Sequence, residues 1–167
     1  MIIALMPRFA DPDRLADQRV VLEGEVEKEA LPRLRDMALE GIGSVQGQIR
    51  FGRDDEKRVV MEGQAQASLS LSCQRCGAPF VQPVETAWRL VFARSQKDEH
   101  SLAEQGVDVW YHEGLVDVAM ILEDEVMLAL PMAPSHPFDC EPQQIQEAKP
   151  HPFAALAGLF EHGLHDK

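Results

Sequence analysis

The sequence predicts an α+β domain: an antiparallel meander sheet that could curl towards a barrel, with packed helices and a CxxC knuckle in a strand turn. Three observations predict it, namely successive segments of alternating apolar and polar residues, a later segment with helical spacing, and two cysteines at a turn. A chain of 167 residues, 45% of them hydrophobic, can bury one core of its own. We expect residues 1–140 to form this single domain.

The N-terminal third is predicted to contain a strand, a helix and a second strand. Residues 20–26 are rich in valine and are typical of a strand. The following run to Glu40 has helical spacing, and Pro32 suits a first helical turn. Residues 45–51 alternate between apolar and polar, and residues 52–57 are then expected to form a polar hairpin loop.

Two long alternating segments follow, on either side of the cysteine turn. Residues 59–73 alternate for an unusual length, and small residues in the middle indicate a strand that bends or is crossed closely. Residues 81–93 alternate again, so consecutive strands are predicted to form the meander, with the CxxC in its second turn. Residues 95–105 are polar and charged, and we expect them to be mobile.

Residues 115–130 change to helical spacing, with Asp117 near the start, where a carboxylate interacts favourably with the helix dipole. On this helix Glu123, Asp124 and Glu125 form an acidic triplet that invites a catalytic or metal-binding interpretation. Because consecutive residues of a helix point in different directions, these carboxylates cannot converge on one ion. We interpret them as a solvated face or a surface for a basic partner.

The C-terminal part is predicted to be separate from the domain. Residues 141–167 should form a linker rich in Gln and Pro, followed by a short amphipathic helix over residues 152–160. The apolar side chains of that helix could dock on the body of the protein or on a partner.

The most informative motif is the CxxCG run that begins at Cys73. Two thiolates at this spacing, with Gly77 directly after Cys76, are typical of a zinc knuckle, because backbone amides in the tight turn point at sulfur. The third cysteine of the chain follows a histidine in a proline-rich loop. The candidate ligands of a tetrahedral Cys3His zinc site are therefore Cys73, Cys76, His136 and Cys140.

Other interpretations of this motif stay open. A CxxC pair can be a redox dithiol, and Arg75 between the thiols would help to lower a cysteine pKa. Redox motifs usually open a helix inside a βαβ unit, however, and the pattern here does not resemble one. The later histidine and cysteine could also be structural bystanders, and the knuckle could hold no metal.

Cysteine content and hydropathy indicate the compartment. Three cysteines that include a CxxC suit a reducing environment and metal ligation better than a disulfide framework. No apolar run approaches the roughly 18 residues that span a bilayer, and the apolar start meets Pro7 without a cationic leader. We therefore expect a cytoplasmic protein with no membrane partner.

The formal net charge of −12 argues against a general electrostatic nucleic-acid binder, because neutralising phosphates requires clustered Lys and Arg. Residues 1–60 hold ten Lys and Arg against twelve Asp and Glu, whereas residues 61–167 hold six against sixteen. Any RNA contact is therefore expected in the N-terminal part. The candidate nucleic-acid-binding residues are Arg33, Arg35, Arg50, Arg53, Lys57 and Arg58, with ordinary solvated charges as the alternative.

Several separated strings resemble one family: SCQRCGAPF, then VDVAMILEDEVMLALPMAPSH, then a cysteine, then KPHPFAALAGL. Together they are similar to the bacterial large ribosomal RNA subunit accumulation family, YceD, over residues 59–160. The resemblance implies a role in synthesis, processing or stability of 23S rRNA, and it implies no known catalytic activity. It also maps the CxxC of the family onto Cys73 and Cys76, and its later His and Cys onto His136 and Cys140.

The sequence contains no P-loop, GxGxxG, GxSxG or HExxH motif. We therefore expect a non-catalytic ribosome biogenesis factor, with large-subunit rRNA or its precursors as partners, reached directly or through ribosomal proteins or assembly factors. One alternative is a metal-dependent RNA-processing hydrolase that uses the acidic residues. Another is an acidic adaptor for a basic ribosomal protein.

Overall fold

The structure, a computed structural model, describes residues 2–4, 6–39, 41–43 and 45–142, with side chains from residue 6 onward. The amphipathic helix predicted over residues 152–160 and most of the predicted linker lie outside the described residues. The proposed division of the chain near residue 140 therefore stays a prediction.

A six-stranded sheet forms the framework, with the strand order β1-β3-β4-β5-β6-β7. Its strands are β1 (Ile2–Ala4), β3 (Val20–Val26), β4 (Val45–Arg53), β5 (Val59–Ser72), β6 (Pro79–Ala93) and β7 (Val109–Tyr111). A separate two-stranded sheet pairs β2 (Phe9–Ala10) with β8 (Val116–Asp117). The four central strands are antiparallel neighbours, which confirms the predicted meander, whereas β1 and β7 pair in parallel at the two edges. In the described part of the chain the sheet stays open and does not close into a barrel.

The described residues form four α-helices, namely α1 (Pro12–Asp17), α2 (Pro32–Met37), α3 (Gln96–Glu104) and α4 (Val118–Leu128). Helix α4 begins after Asp117, which confirms the predicted place of this residue near the helix start. Its carboxylate also caps the helix by accepting a hydrogen bond from the amide of Met120 at 3.1 Å. Helix α2 is shorter than the predicted run to residue 40, because Ala38 is already extended. None of these helices is long and apolar enough to cross a bilayer.

Helix α3 was missed by the prediction of a mobile segment over residues 95–105. It begins after Ser95, whose hydroxyl oxygen accepts a hydrogen bond from the amide of Asp98 at 3.1 Å. Asp98 and Glu99 lie in the first turn, where carboxylates interact favourably with the helix dipole. None of the residues of α3 is buried, so hydrophobic spacing carried no signal and only the capping sequence indicated a helix.

The core lies between one face of the central sheet and the helices. Leu122 of α4 packs against Gly47 of β4, where an added Cβ would lie 2.7 Å from Cδ1 of Leu122. On β5, the ring of Trp88 from β6 lies directly over Gly63, and a Cβ there would be 2.2 Å from that ring. Gly63 on β5 therefore marks a place where another group crosses closely, which is one of the two outcomes predicted for the small residues of this strand.

Glu123 is buried, with only 2% of its surface exposed, so the prediction of a solvated face is wrong at this residue. One carboxylate oxygen accepts hydrogen bonds from the backbone amides of Arg33 at 2.7 Å and Leu34 at 3.0 Å, at the start of α2. The other accepts from Nε of Arg33 at 2.9 Å. Because the residue that precedes α2 offers no side-chain cap, Glu123 supplies the cap from another helix.

The other two acidic residues of α4 do not share the capping role of Glu123. Asp124 pairs with a terminal nitrogen of Arg33. Glu125 is half-buried, and burial together with the carboxylates of Asp108 and Asp124 raises its pKa. Glu123 and Asp124 thus share Arg33, whereas Glu125 does not pair with it, and the three carboxylates do not form one metal-ligand set.

Replacing Glu123 by Ala should lower the free energy of unfolding by about 2 to 3 kcal/mol, because two amides at the start of α2 lose their acceptor. Chemical denaturation followed by circular dichroism measures this loss. The control Asp124→Ala removes one half-exposed ion pair and should cost less than about 1 kcal/mol. Equal losses in the two variants would contradict the capping role of Glu123.

Candidate metal centre

The turn between β5 and β6 has the predicted knuckle geometry. The amide of Cys73 donates to the carbonyl of Ala78 at 2.9 Å, and the amide of Gly77 donates back to the carbonyl of Cys73 at 2.8 Å. Gly77 adopts a φ of 75°, a left-handed conformation that disfavours any residue with a side chain. Gly therefore follows the second cysteine because the turn requires it.

The loop after α4 returns to this turn and is held there by hydrogen bonds. The amide of Gln74 donates to the carbonyl of Pro134 at 2.8 Å. The guanidinium of Arg75 donates to the carbonyl of Phe138 at 3.3 Å and pairs with the carboxylate of Asp139 at 3.5 Å. Two residues of the knuckle thus fix a segment that lies 60 or more positions later in the chain.

This contact brings the four candidate ligands together. Their ligand atoms all lie within 4.8 Å of one another. The sulfurs of Cys73 and Cys140 are 3.8 Å apart, and the sulfur of Cys76 is 3.4 Å from Nδ1 of His136. Tetrahedral zinc, with Zn–S of about 2.3 Å and Zn–N of about 2.0 Å, has S···S edges of about 3.8 Å and S···N edges of about 3.5 Å. The residues present therefore fit a four-coordinate Cys3His zinc ion.

The thiols of the cluster are not equivalent. Burial raises the pKa of Cys73, but the backbone amides of Cys76, His136 and Arg75 donate to its sulfur and together lower the pKa to about 5. Burial and the neighbouring sulfurs raise the pKa of Cys140 to about 11. The cluster thus stabilises one thiolate and opposes a further one, a balance that a bound cation would change by neutralising the sulfurs.

Two aromatic rings position the histidine. The His136 ring lies 5.0 Å from the Phe80 ring and stacks on Phe138 at 4.7 Å, measured between centroids. These contacts leave Nδ1 facing the cluster. Phe80 and Phe138 were not predicted to contribute to the site, although each lies within four residues of a candidate ligand in the chain.

The redox interpretation of the CxxC finds less support in this geometry. Cys73 is only 1% exposed, whereas a redox cysteine needs access for its reaction partner. The motif also lies in a strand turn and does not open a helix. Both observations favour metal ligation over dithiol chemistry.

The six predicted nucleic-acid-binding residues lie on three different elements. Arg33 and Arg35 are on α2, Arg50 is on the sheet, and the other three are in or beside the hairpin between β4 and β5. Four of the six are in ion pairs with acidic side chains, namely Arg33, Arg35, Arg53 and Arg58. Arg50 and Lys57 are exposed and have no ion pair within the described residues. Their contact with RNA stays a prediction.

The family profile described as large ribosomal RNA subunit accumulation protein YceD matches residues 61–160 of this chain. This range covers more than half of the chain and contains all four residues of the cluster. The protein belongs to the YceD family. The large ribosomal RNA subunit accumulation protein YceD of Haemophilus influenzae is 30% identical to it, with 92% of this chain and 95% of the relative covered. No solved structure matches the chain.

Purified protein of this YceD family member should contain about one zinc per chain, as measured by elemental analysis. Cys140→Ser should remove most of the zinc and lower the midpoint of thermal unfolding by about 10 °C, because a lost ligand opens the tetrahedral site. The control Gln74→Ser changes an exposed knuckle side chain and should retain the metal.

Protein that holds no zinc after metal-free handling, and that melts identically with and without chelator, would contradict a structural zinc site. If Cys73→Ser removes the metal but His136→Ala does not, the fourth ligand is wrong.

Proposed function

We propose that the protein is a non-catalytic ribosome biogenesis factor of the bacterial cytoplasm that supports the accumulation of large-subunit rRNA. Its action would lie in the synthesis, processing or stability of 23S rRNA. The observation that carries the proposal is the family match over residues 61–160, together with the relative whose name describes accumulation of this RNA.

The metal centre would have a structural role in this function. Zinc held by Cys73, Cys76, His136 and Cys140 would join the turn between β5 and β6 to the loop that follows α4. Four protein ligands leave no open position for a water or a substrate, which distinguishes a structural site from a catalytic one. The zinc would thus fix the shape of a surface rather than perform a reaction.

A metal-dependent hydrolase was the alternative, and it would need carboxylates grouped around an ion. Within the described ranges, the Cys3His cluster is the one group of three or more suitable side chains. Glu123 and Asp124 are occupied with Arg33 and the amides of α2. No observation in this part of the chain favours hydrolysis, so we retain the non-catalytic proposal.

Deleting the gene from its bacterium of origin should lower mature 23S rRNA relative to 16S rRNA, as measured by electrophoresis and hybridisation. The wild-type gene should restore the ratio, and Gln74→Ser should restore it as well. Cys73→Ser combined with Cys140→Ser should restore it poorly, because the variant loses the metal centre. An unchanged ratio in the deletion strain would contradict the proposed function.

Direct RNA contact is best tested at the two exposed cations that lack ion pairs. Arg50→Ala with Lys57→Ala should weaken binding to a labelled 23S rRNA fragment. The slope of log K against log salt concentration should also fall by an amount that corresponds to the loss of about two phosphate contacts. The control Lys28→Ala with Lys97→Ala changes the net charge equally at other exposed sites. Equal effects of the two pairs would remove this patch as a specific contact, and wild-type protein that binds no RNA would favour action through a protein partner.

A further inference from the structure

The outer face of the central sheet, opposite the core, forms a concave polar surface. A cavity of about 700 Å3 lies over it and is lined by all four strands from β3 to β6. Most of the lining side chains are exposed carboxylates and amides. This surface is distinct from the Cys3His cluster, which lies at the turn between β5 and β6.

Strand register arranges these side chains in two rungs that cross the sheet. From β3 to β6 the first rung reads Glu25, Gln46, Gln66 and Glu85. It therefore has a carboxylate at each end and two amides between them. Because neighbouring strands are about 4.8 Å apart, the two carboxylates are separated by about 14 Å.

The second rung runs beside the first and is internally hydrogen-bonded. The amide nitrogen of Gln48 donates to the carboxylate of Glu23 at 3.2 Å, and the amide nitrogen of Gln64 donates to the amide oxygen of Gln48 at 3.4 Å. By contrast, within the described residues no side chain of the first rung has a hydrogen bond or an ion pair. All hydrogen-bond donors and acceptors of its two carboxylates and two amides can therefore bind a ligand.

The charge of the cavity selects the chemistry of that ligand. Three carboxylates, those of Glu23, Glu25 and Glu85, line it, and its lining includes no Lys or Arg. The next rung on this face, where Arg50 is exposed and Arg89 pairs with Glu62 at 3.6 Å, lies beyond the lining. Phosphate groups would be repelled from this surface, whereas cationic side chains would be attracted to it.

We propose that the outer sheet face binds an extended, Arg- or Lys-rich segment of a protein partner. Two cationic side chains four residues apart in an extended chain are separated by about 13 Å, which matches the spacing of Glu25 and Glu85. The amides of Gln46 and Gln66 lie between them and would bond to the backbone of the segment. That this partner would link the protein to large-subunit rRNA rests on the proposed function.

A labelled peptide with Arg at every fourth position tests the proposal on the purified full-length protein, by fluorescence anisotropy. Glu25→Gln with Glu85→Gln should weaken peptide binding about tenfold at low salt. The control Glu29→Gln with Glu104→Gln changes the net charge equally at exposed sites off this face and should weaken binding less than about twofold. Circular dichroism checks that both variants are folded.

Equal weakening in the two variants would overturn the proposal, because it would show attraction to overall charge alone. Wild-type protein that fails to bind the peptide, or that binds a labelled oligouridine more tightly, would also overturn it. Because the binding assay contains no ribosomal component, a negative result would rule out only the proposed docking surface. An unchanged 23S to 16S ratio in the deletion strain would instead remove the proposed function and leave the peptide result standing.

Discussion

The position of α4 is the constraint on which the rest of the structure depends. Its side chain Leu122 occupies the space that a side chain at position 47 of β4 would need, so this contact requires Gly47. The next residue, Glu123, reaches the opposite way and caps α2 with a buried carboxylate. The chain that leaves the C-terminal end of α4 then carries His136 and Cys140 to the knuckle. One helix thus connects the N-terminal segment, the core and the Cys3His cluster.

This arrangement separates the two faces of the sheet by their physical chemistry. The inner face is covered by helices. At Gly47 and Gly63 on this face, an added Cβ would clash with a side chain that packs over the glycine. The outer face has no such burial, and its rungs of amides and carboxylates face solvent. The Cys3His cluster joins the β5–β6 end of the sheet to the loop after α4. In our two proposals, a metal bound at the cluster would support the fold, and the outer face would bind the partner.

Features that depend on a local sequence pattern could be predicted, whereas features that depend on residues far away in the chain could not. The limits of β3 to β6 were predicted to within two residues at each end, because β4, β5 and β6 contain alternating runs and β3 is rich in valine. The four candidate ligands, which the structure brings together, could be selected from the sequence because cysteine and histidine carry their metal chemistry in the residue type. The short strands β1, β2, β7 and β8 have two or three residues each, which is too few to show an alternation of apolar and polar residues. The burial of Glu123 could not be predicted, since its partners at Arg33 and Leu34 lie 90 and 89 positions away.

X-ray absorption at the zinc edge of the purified protein tests the central claim most directly, because it reports the atoms bound to the metal. The account predicts one shell of three sulfurs at about 2.3 Å and one nitrogen at about 2.0 Å. A zinc ion with only oxygen and nitrogen neighbours, or with two sulfurs and bound water, would contradict it. In that case the loop after α4 would be held at the knuckle by hydrogen bonds alone, and the four-ligand centre would not exist.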